Sequence, residues 1–197
     1  MAFVEPIAFQ GQHASLEPLD RHHEDGIKLA LEDGQLWNLW FTTIPRPESV
    51  RDYIEQLLAQ REQGTVFAFA VRDNASGKIV GGTRYMNIDE RNRRLEIGGT
   101  WYAQRVQRSA LNTECKLMLL THAFEKLGCI AVEFRTDWFN KRSQAAIERL
   151  GAKQDGVMRN HMIMADGRIR DTVVYSIIEN EWNGVKMNLQ HKLRSRG

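Results

Sequence analysis

Three observations in this 197-residue chain predict a mixed α/β fold, a largely antiparallel sheet covered by helices. Apolar residues recur with a period of two in some stretches and about 3.6 in others, so strands and helices share the chain. Turn-forming clusters join three extended runs directly, as in a meander, so the sheet is not doubly wound. No repeat and no Pro/Gly/Ser-rich linker divides the chain, and residues 1–197 read as one domain. At this length about 70% of the unfolded surface can be buried, enough for a core without metal or disulfide support.

Residues 14–19 read as the first strand, and 22–32 as a helix with Ile27, Leu29, Ala30 and Leu31 on its apolar side. Pro47 opens a second helix at the position where a missing N–H costs nothing. Tyr53, Ile54, Leu57 and Leu58 carry that helix to Gly64. Residues 65–72 are nearly continuous in apolar side chains, the pattern of a central strand covered on both faces. The cluster Asp73, Asn74, Ser76 and Gly77 turns the chain into a hairpin partner over 78–88, and a charged turn at 89–93 leads to a strand over 94–103. The longest helix spans about 112–127, with Cys115, Met118, Leu119, Ala123 and Leu127 along one side, Leu120 and Phe124 widening the stripe, and Gly128 ending it. Ile130, Val132, Phe134 and Thr136 alternate with Glu133, Arg135 and Asp137 as a strand. A short helix over 140–150 closes at Gly151. The turn Ala165-Asp166-Gly167 joins 157–164 to 172–178 as a hairpin, before an amphipathic helix over 179–193.

Lys and Arg number 27 against 25 acids, a net charge of +2. An obligate polyanion binder needs a concentrated excess of positive charge, so that class is excluded and a nucleic-acid partner is disfavoured. The longest apolar runs fall far short of the roughly 20 residues a membrane span requires. Residues 1–10 lack the basic start and apolar stretch of a secretory signal, so a cytoplasmic protein is expected. Cys115 and Cys129 have apolar neighbours and fit buried core positions better than a disulfide. The six histidines, the His22-His23 pair among them, show no ligand partner at helical spacing, and no metal site is expected. The tail carries Lys186, Lys192, Arg194 and Arg196 between Met187, Leu189 and Leu193. A solvated amphipathic helix is the ordinary reading of it, and a nucleic-acid contact the alternative.

The segment that carries chemistry is 96–112, EIGGTWYAQRVQRSALN, a strand that passes through a basic turn into the longest helix. A helix start offers N–H groups without internal partners and the positive end of the macrodipole, so this turn is a candidate anion cradle. Arg105 and Arg108 add fixed cations able to pair with phosphate oxygens. An ordinary strand-to-helix turn with solvated arginines accounts for the same spacing, because the glycines of a phosphate loop are missing.

On these residues the chain resembles the GNAT superfamily of N-acetyltransferases, whose acyl-CoA signature reads Q/R-x-x-G-x-G/A. Arg105 fills the first position and Ala110 the last, whereas Arg108 stands where the first glycine is usual. The family begins the helix after the next strand with an asparagine, and Asn140 with Ser143 in NKRS fits it. The pattern N-x-x-S-x-x-x-x-x-x-L-G-A over 140–152 is similar to the branch of ribosomal-protein N-terminal acetyltransferases.

The resemblance covers roughly 14–178 and implies a GNAT-like domain. Its sheet has six or seven mostly antiparallel strands, splayed at a central parallel pair, with helices on both faces. It implies an enzyme that moves an acetyl group from acetyl-CoA to a primary amine by direct attack. The acceptor is a protein or peptide N-terminal α-amine, or else a small amine such as a polyamine, amino acid or antibiotic; a non-catalytic CoA-binding module is the alternative. The pyrophosphate of CoA would lie on the amides of Arg108, Ser109, Ala110, Leu111 and Asn112, with Arg105 and Gln107 beside it. The pantetheine arm would pair with the backbone of Thr100, Trp101 and Tyr102, held from the other side by Asn140, Arg142 and Ser143. A Cβ at Arg108 makes the positive φ of a signature glycine costly, which the guanidinium could partly offset.

Glu96 is the candidate base. If no bulge intervenes, Glu96, Gly98, Thr100 and Tyr102 share one strand face, with the carboxylate on the wall leading to the thioester. A carboxylate there can take the proton of an attacking amine, directly or through water. A strand-face salt bridge with Arg84 or Arg135 is the structural alternative. A backbone N–H near Trp101 and Tyr102 would face the oxyanion. For protonating the thiolate, the family's tyrosine position holds Ile147, which leaves Tyr102, Ser143, Tyr175 or water. On the acceptor side, Trp37, Trp40 and Phe41 form an aromatic wall or simply pin their loop to the core. Arg84, Tyr85, Asn87 and Tyr175 are further acceptor candidates. A homodimer is compatible with all of this.

Overall fold

The continuous apolar run at 66–71 is buried along its whole length, as a strand covered on both faces must be. A computed structural model describes residues 3–195, and in it this run is β3 (Val66–Asp73) of one eight-stranded sheet. The other strands are β1 (Phe9–Gln10), β2 (Ala14–Pro18), β4 (Ile79–Asp89), β5 (Arg94–Tyr102), β6 (Ala131–Asp137), β7 (Lys153–Ile163) and β8 (Ile169–Ile178). The helices are α1 (Glu24–Glu32), α2 (Val50–Glu62), α3 (Leu111–Glu125), α4 (Lys141–Glu148) and α5 (Glu179–Arg194). The sheet order is β1-β2-β3-β4-β5-β6-β8-β7, and β5 with β6 is its parallel pair.

Helices cover the sheet on both faces. Tyr85 of β4 donates its hydroxyl to the Leu119 carbonyl of α3 at 2.7 Å, while Trp101 of β5 reaches Tyr53 of α2 on the opposite face. The core under α3 is built from Phe69, Tyr85, Leu95, Leu119, Leu120 and Phe134, all buried. α3 is held near its start by Glu114, whose carboxylate accepts the backbone N–H groups of Gln12, His13 and Ala14 at 2.7–2.8 Å. α5 closes over α3, with Trp182 stacked on Phe124 at 5.1 Å.

Several expectations are corrected. The two-residue β1, too short to leave a periodic signal, brings the strand count to eight rather than six or seven. β7 begins at Lys153 rather than 157; it is an edge strand exposed along most of its length, so no buried face marks its start. Leu29 is 67% exposed. The stripe begun at Ile27 continues at Ala30 and Leu31, and at about 100° per residue position 29 points away from it. α3 starts one residue earlier than expected and ends at Glu125, and Arg196 lies outside the described residues.

Two irregularities shape the centre of the sheet. β5 and β6 pair only at Arg94/Ala131, Leu95/Val132 and Glu96/Glu133, and beyond Glu96 the parallel pair parts. On its other side β5 is bulged against β4. Gly82 faces Trp101 and Arg84 faces Gly98, so the single residue Thr83 opposes both Gly99 and Thr100. Gly99 takes φ +55°, and the Arg84 side chain fills the space that a Cβ there would need.

Candidate active site

The chain leaves β5 through one turn of 3-10 helix, Gln104–Val106, and enters α3 at Leu111. Gln107 braces this loop by donating its Nε2 to the Tyr102 carbonyl at 2.8 Å and accepting the Arg142 guanidinium. The Arg149 guanidinium reaches Thr113 Oγ1 at 3.0 Å. These bonds tie the start of α4 to the loop before α3 and the end of α4 to the first turn of α3, so the two proposed halves of the cradle are adjacent.

Arg108 adopts φ +63°. A residue with a Cβ holds the left-handed conformation only at a cost of about 1–2 kcal/mol, and such strain concentrates at functional turns. The loop therefore has the backbone conformation usual for the signature glycine, without the glycine. A left-handed residue just before a helix start turns successive N–H groups inward, the geometry of an anion nest. Arg108 and Ser109 are exposed at its rim. Gly99 and Thr100 are likewise exposed on the parted side of β5, beyond the last residue paired with β6. The side-chain oxygen of Asn112 is buried at this end of the site with no hydrogen-bond partner. A diphosphate on the nest and an extended amide arm along β5 suit this donor and acceptor set, so the residues present fit CoA.

Other members of the predicted cofactor set have structural partners. Arg105 is ion-paired to Asp33 at 2.8 Å, tying the loop to the end of α1 instead of facing the nest. Asn140 caps α4 by accepting the Ser143 N–H at 3.0 Å, and Arg142 is engaged by Gln107.

Glu96 sits where β5 and β6 part and is 4% exposed. Its Oε2 accepts Asn87 Nδ2 at 2.7 Å and lies 3.5 Å from Arg135 Nε. Burial raises its pKa above the ordinary carboxylate range, against the pull of Arg135, Asn87 and Arg84. It lines a cleft of about 320 Å³ with Asn87, Asp89, Arg94, Leu95, Glu133 and Arg135. The salt bridge expected as the structural alternative is thus present, and the carboxylate still opens onto a cleft.

The bulge overturns the expected shared face. Glu96 and Gly98 face the side of Arg84, whereas Thr100 and Tyr102 face α3, because the extra residue shifts the alternation by one. Tyr102 is buried beside Cys115, and burial lifts its pKa well above that of an ordinary phenol. Tyr85, expected on the acceptor side, is a fully buried core residue under α3. Tyr175 also faces away from Glu96; its hydroxyl donates to Glu148 of α4 at 3.0 Å, and burial with that carboxylate pushes its pKa up to about 12. Ile147, on the same helix, is buried.

Trp40 and Arg84 do lie on the Glu96 side. Trp40 is 53% exposed, with Phe41 and Phe139 each at 5.4 Å and the Arg168 guanidinium at 4.6 Å from its ring. Trp37 is half-buried against the core and pins the loop. Sequence reasoning missed Phe139, Arg168 and Arg170, although the alternation of the two arginines at the start of β8 was visible. It also missed Lys116. This lysine is buried beneath the bulge, donating to Thr100 Oγ1 at 2.6 Å and Thr83 Oγ1 at 3.1 Å, and burial pulls its pKa down to about 7.

Glu17 joins His22 and His23 as a group within reach of one cation. Both Glu17 oxygens, however, accept the Arg72 guanidinium, at 2.5 and 2.9 Å, and His23 Nε2 lies on one of them. A metal would have to displace that guanidinium. No helix among the described residues is long and apolar enough to cross a membrane.

Comparison with known proteins adds the following. Residues 14–153 match the family described as Acetyltransferase (GNAT) domain. The Bacillus subtilis (strain 168) protein named "Putative ribosomal N-acetyltransferase YdaF" is 28% identical over 173 residues, covering 87% of this chain and 92% of that one. A solved structure titled as a "putative acetyltransferase" from T. thermophilus is 33% identical, covers 96% of this chain and 98% of that one, and superposes with a TM-score of 0.84. A GCN5-related N-acetyltransferase structure from Brucella melitensis is 29% identical, covers 96% of this chain and 86% of that one, and gives a TM-score of 0.86.

Proposed function

The chain belongs to the GNAT acetyltransferase family, and on that premise we propose that it acetylates the N-terminal α-amine of a protein or peptide, using acetyl-CoA. One observation carries the reading: the parallel pair opens immediately after Glu96, facing the nest that Arg108 forms at the start of α3. Bound acetyl-CoA would supply the thioester acetyl group. The amides from Arg108 to Asn112 hold its diphosphate, the exposed backbone at Gly99 and Thr100 holds its arm, and Asn140 and Ser143 flank it from α4.

Glu96 takes the proton of the amine. An α-amine with a pKa near about 8 needs less help than a lysine near about 10.4, so a carboxylate with a raised pKa suffices for it. Asn87 and Arg135 fix the orientation of that carboxylate. Of the side chains considered for returning a proton, Ser143 remains, partly exposed on α4, since Tyr102 and Tyr175 are buried beneath helices. The similarity to a relative whose name specifies a ribosomal N-acetyltransferase supports a protein α-amine over a small amine. We take residues 1–197 as one catalytic domain acting in a reducing compartment, the cytoplasm; Cys115 and Cys129 are free buried thiols.

The test combines heat protection with CoA release. Acetyl-CoA at millimolar concentration raises the Tm of the wild type and of Glu96→Gln alike, while CoA release onto peptides is lost in the variant. Absence of any protection removes the cofactor reading, and unchanged turnover in Glu96→Gln removes the base.

A further inference from the structure

Resting on this acetyl-transfer reading, we propose that the acceptor carries an anionic group, a carboxylate or phosphate, close to its amine, and that Arg84, Arg168 and Arg170 receive it. Arg170 lies 4.0 Å from Asp137, and its charge also acts on Glu96, so it shares the face of the sheet that holds the proposed base. Among the described residues, Arg84, Arg94, Arg135, Arg168 and Arg170 face Glu96, Glu133 and Asp137, with Asp89 at the far end of the cleft bonded to Asn92.

The three nearest carboxylates are already committed. Glu133 accepts Arg94 at 2.6 Å and Arg135 at 2.8 Å, and Glu96 is bonded by Asn87. Asp137 is 2% exposed; one oxygen accepts the Phe139 N–H at 2.9 Å, and the other has both Arg168 at 3.0 Å and Arg170 at 4.0 Å. Nη2 of Arg168 keeps Asp137 at 3.0 Å, while Nε of Arg84, Nε of Arg168 and Nε of Arg170 are buried without an aligned hydrogen-bond acceptor. Buried charged donors left unpaired are costly, and several of them converging beside a reactive carboxylate describe the complement of an anion.

The surroundings fix these groups in place. Trp40 lies under the Arg168 guanidinium at 4.6 Å with Phe139 beside it, holding the arginine at the rim and offering an apolar wall to the body of the acceptor. Arg84 lies across Gly99, next to the parted strand. An amine delivered to Glu96 therefore has guanidinium groups where its nearest substituents fall. A carboxylate or phosphate there gains charge-assisted bonds, whereas the second cation of a polyamine meets like charge.

CoA release is measured with Glu-Ala amide, Gln-Ala amide, free glutamate, phosphoethanolamine and spermidine as acceptors. Glu-Ala amide is expected to exceed its neutral isostere Gln-Ala amide by about tenfold or more in kcat/KM, with spermidine slowest. The ratio falls toward one in Arg170→Met and, independently, in Arg84→Met, with heat protection by acetyl-CoA confirming that each variant is folded. A lead for free glutamate assigns the anion to the amino acid's own carboxylate, a lead for the dipeptide assigns it to an acidic side chain, and a lead for phosphoethanolamine assigns it to a phosphate. Equal rates for the two dipeptides, a lead for spermidine, or a ratio that survives both substitutions overturns the proposal while CoA release continues. If no amine releases CoA although acetyl-CoA protects, the transfer reading fails and the proposal with it.

Discussion

Glu96 is buried at the parting of β5 and β6, and its environment opposes ionisation more than Arg135, Asn87 and Arg84 favour it. The sign for stability follows. A carboxyl group whose pKa is raised on folding contributes fully below its unfolded value and loses that contribution as pH rises through the folded value. Glu96→Gln is therefore expected to lower kcat by about 10²–10⁴ yet to raise Tm at neutral pH, which rate and melting measurements on one preparation check together. Lys116 has the converse sign. Its pKa falls to about 7 on folding, so its contribution is present above the unfolded value near 10.5 and is lost as pH falls through about 7. Lys116→Met is expected to be more stable than the wild type at pH 6 and to lose that margin toward pH 10; a less stable variant at pH 6 contradicts the burial argument. Residue types made part of this legible in advance. A carboxylate inside a strand of apolar and glycine residues stands out, and Glu96 did. Arg168 and Arg170 did not, because Asp137, Trp40 and Glu96, the residues they face, are between 31 and 128 positions away.

The loop into α3 turns on one left-handed residue. Arg108 at φ +63° predicts an ordering of substitutions. Arg108→Gly keeps the loop conformation without the left-handed cost, whereas Arg108→Val adds a β-branched side chain to it. Denaturant melts should find Val less stable than Gly by about 1 kcal/mol or more, and the reverse order would mean that the turn is not held left-handed. The affinity of either variant for acetyl-CoA tests the guanidinium separately. The order of strands and helices was readable because long apolar periods dominate each element. The bulge at Gly99 and Thr100 was not, since an extra residue in a strand leaves the composition unchanged and only the β4 register exposes it. This one residue separates Tyr102 from Glu96 and turns the Thr100 hydroxyl toward Lys116. It also decides which predicted site residues share a face. The start of the edge strand β7 leaves no signal in the sequence for a related reason: without a buried face, alternation has nothing to report.

Across the whole molecule the charge is nearly balanced, +2 over 197 residues, and the fold concentrates what the total conceals. Guanidinium groups gather on the Glu96 side of β6 and β8, while the C-terminal helix has cations engaged within the fold: Lys186 with Glu125 at 2.7 Å and Lys192 with the Arg149 carbonyl. The tail accordingly serves to seat α5 on α3. Acid stability belongs to this scale as well. Arg72 and His23 hold Glu17, which joins β2 to β3, down to a pKa of about 2. A depressed carboxyl pKa stabilises above its unfolded value and loses that contribution as pH falls from about 4.5 toward 2. Glu17→Gln should therefore show a smaller drop in Tm between pH 5 and pH 3 than the wild type. The central claim is that the parted strands with Glu96 at their closed end transfer acetyl groups to an amine. The most direct measurement is mass spectrometry of α-amine peptides incubated with acetyl-CoA and either the wild type or Glu96→Gln. The account predicts one added acetyl group on the α-amine with the wild type and almost none with the variant. It is contradicted if the peptides stay unmodified although acetyl-CoA binds, or if the variant acetylates them at the same rate.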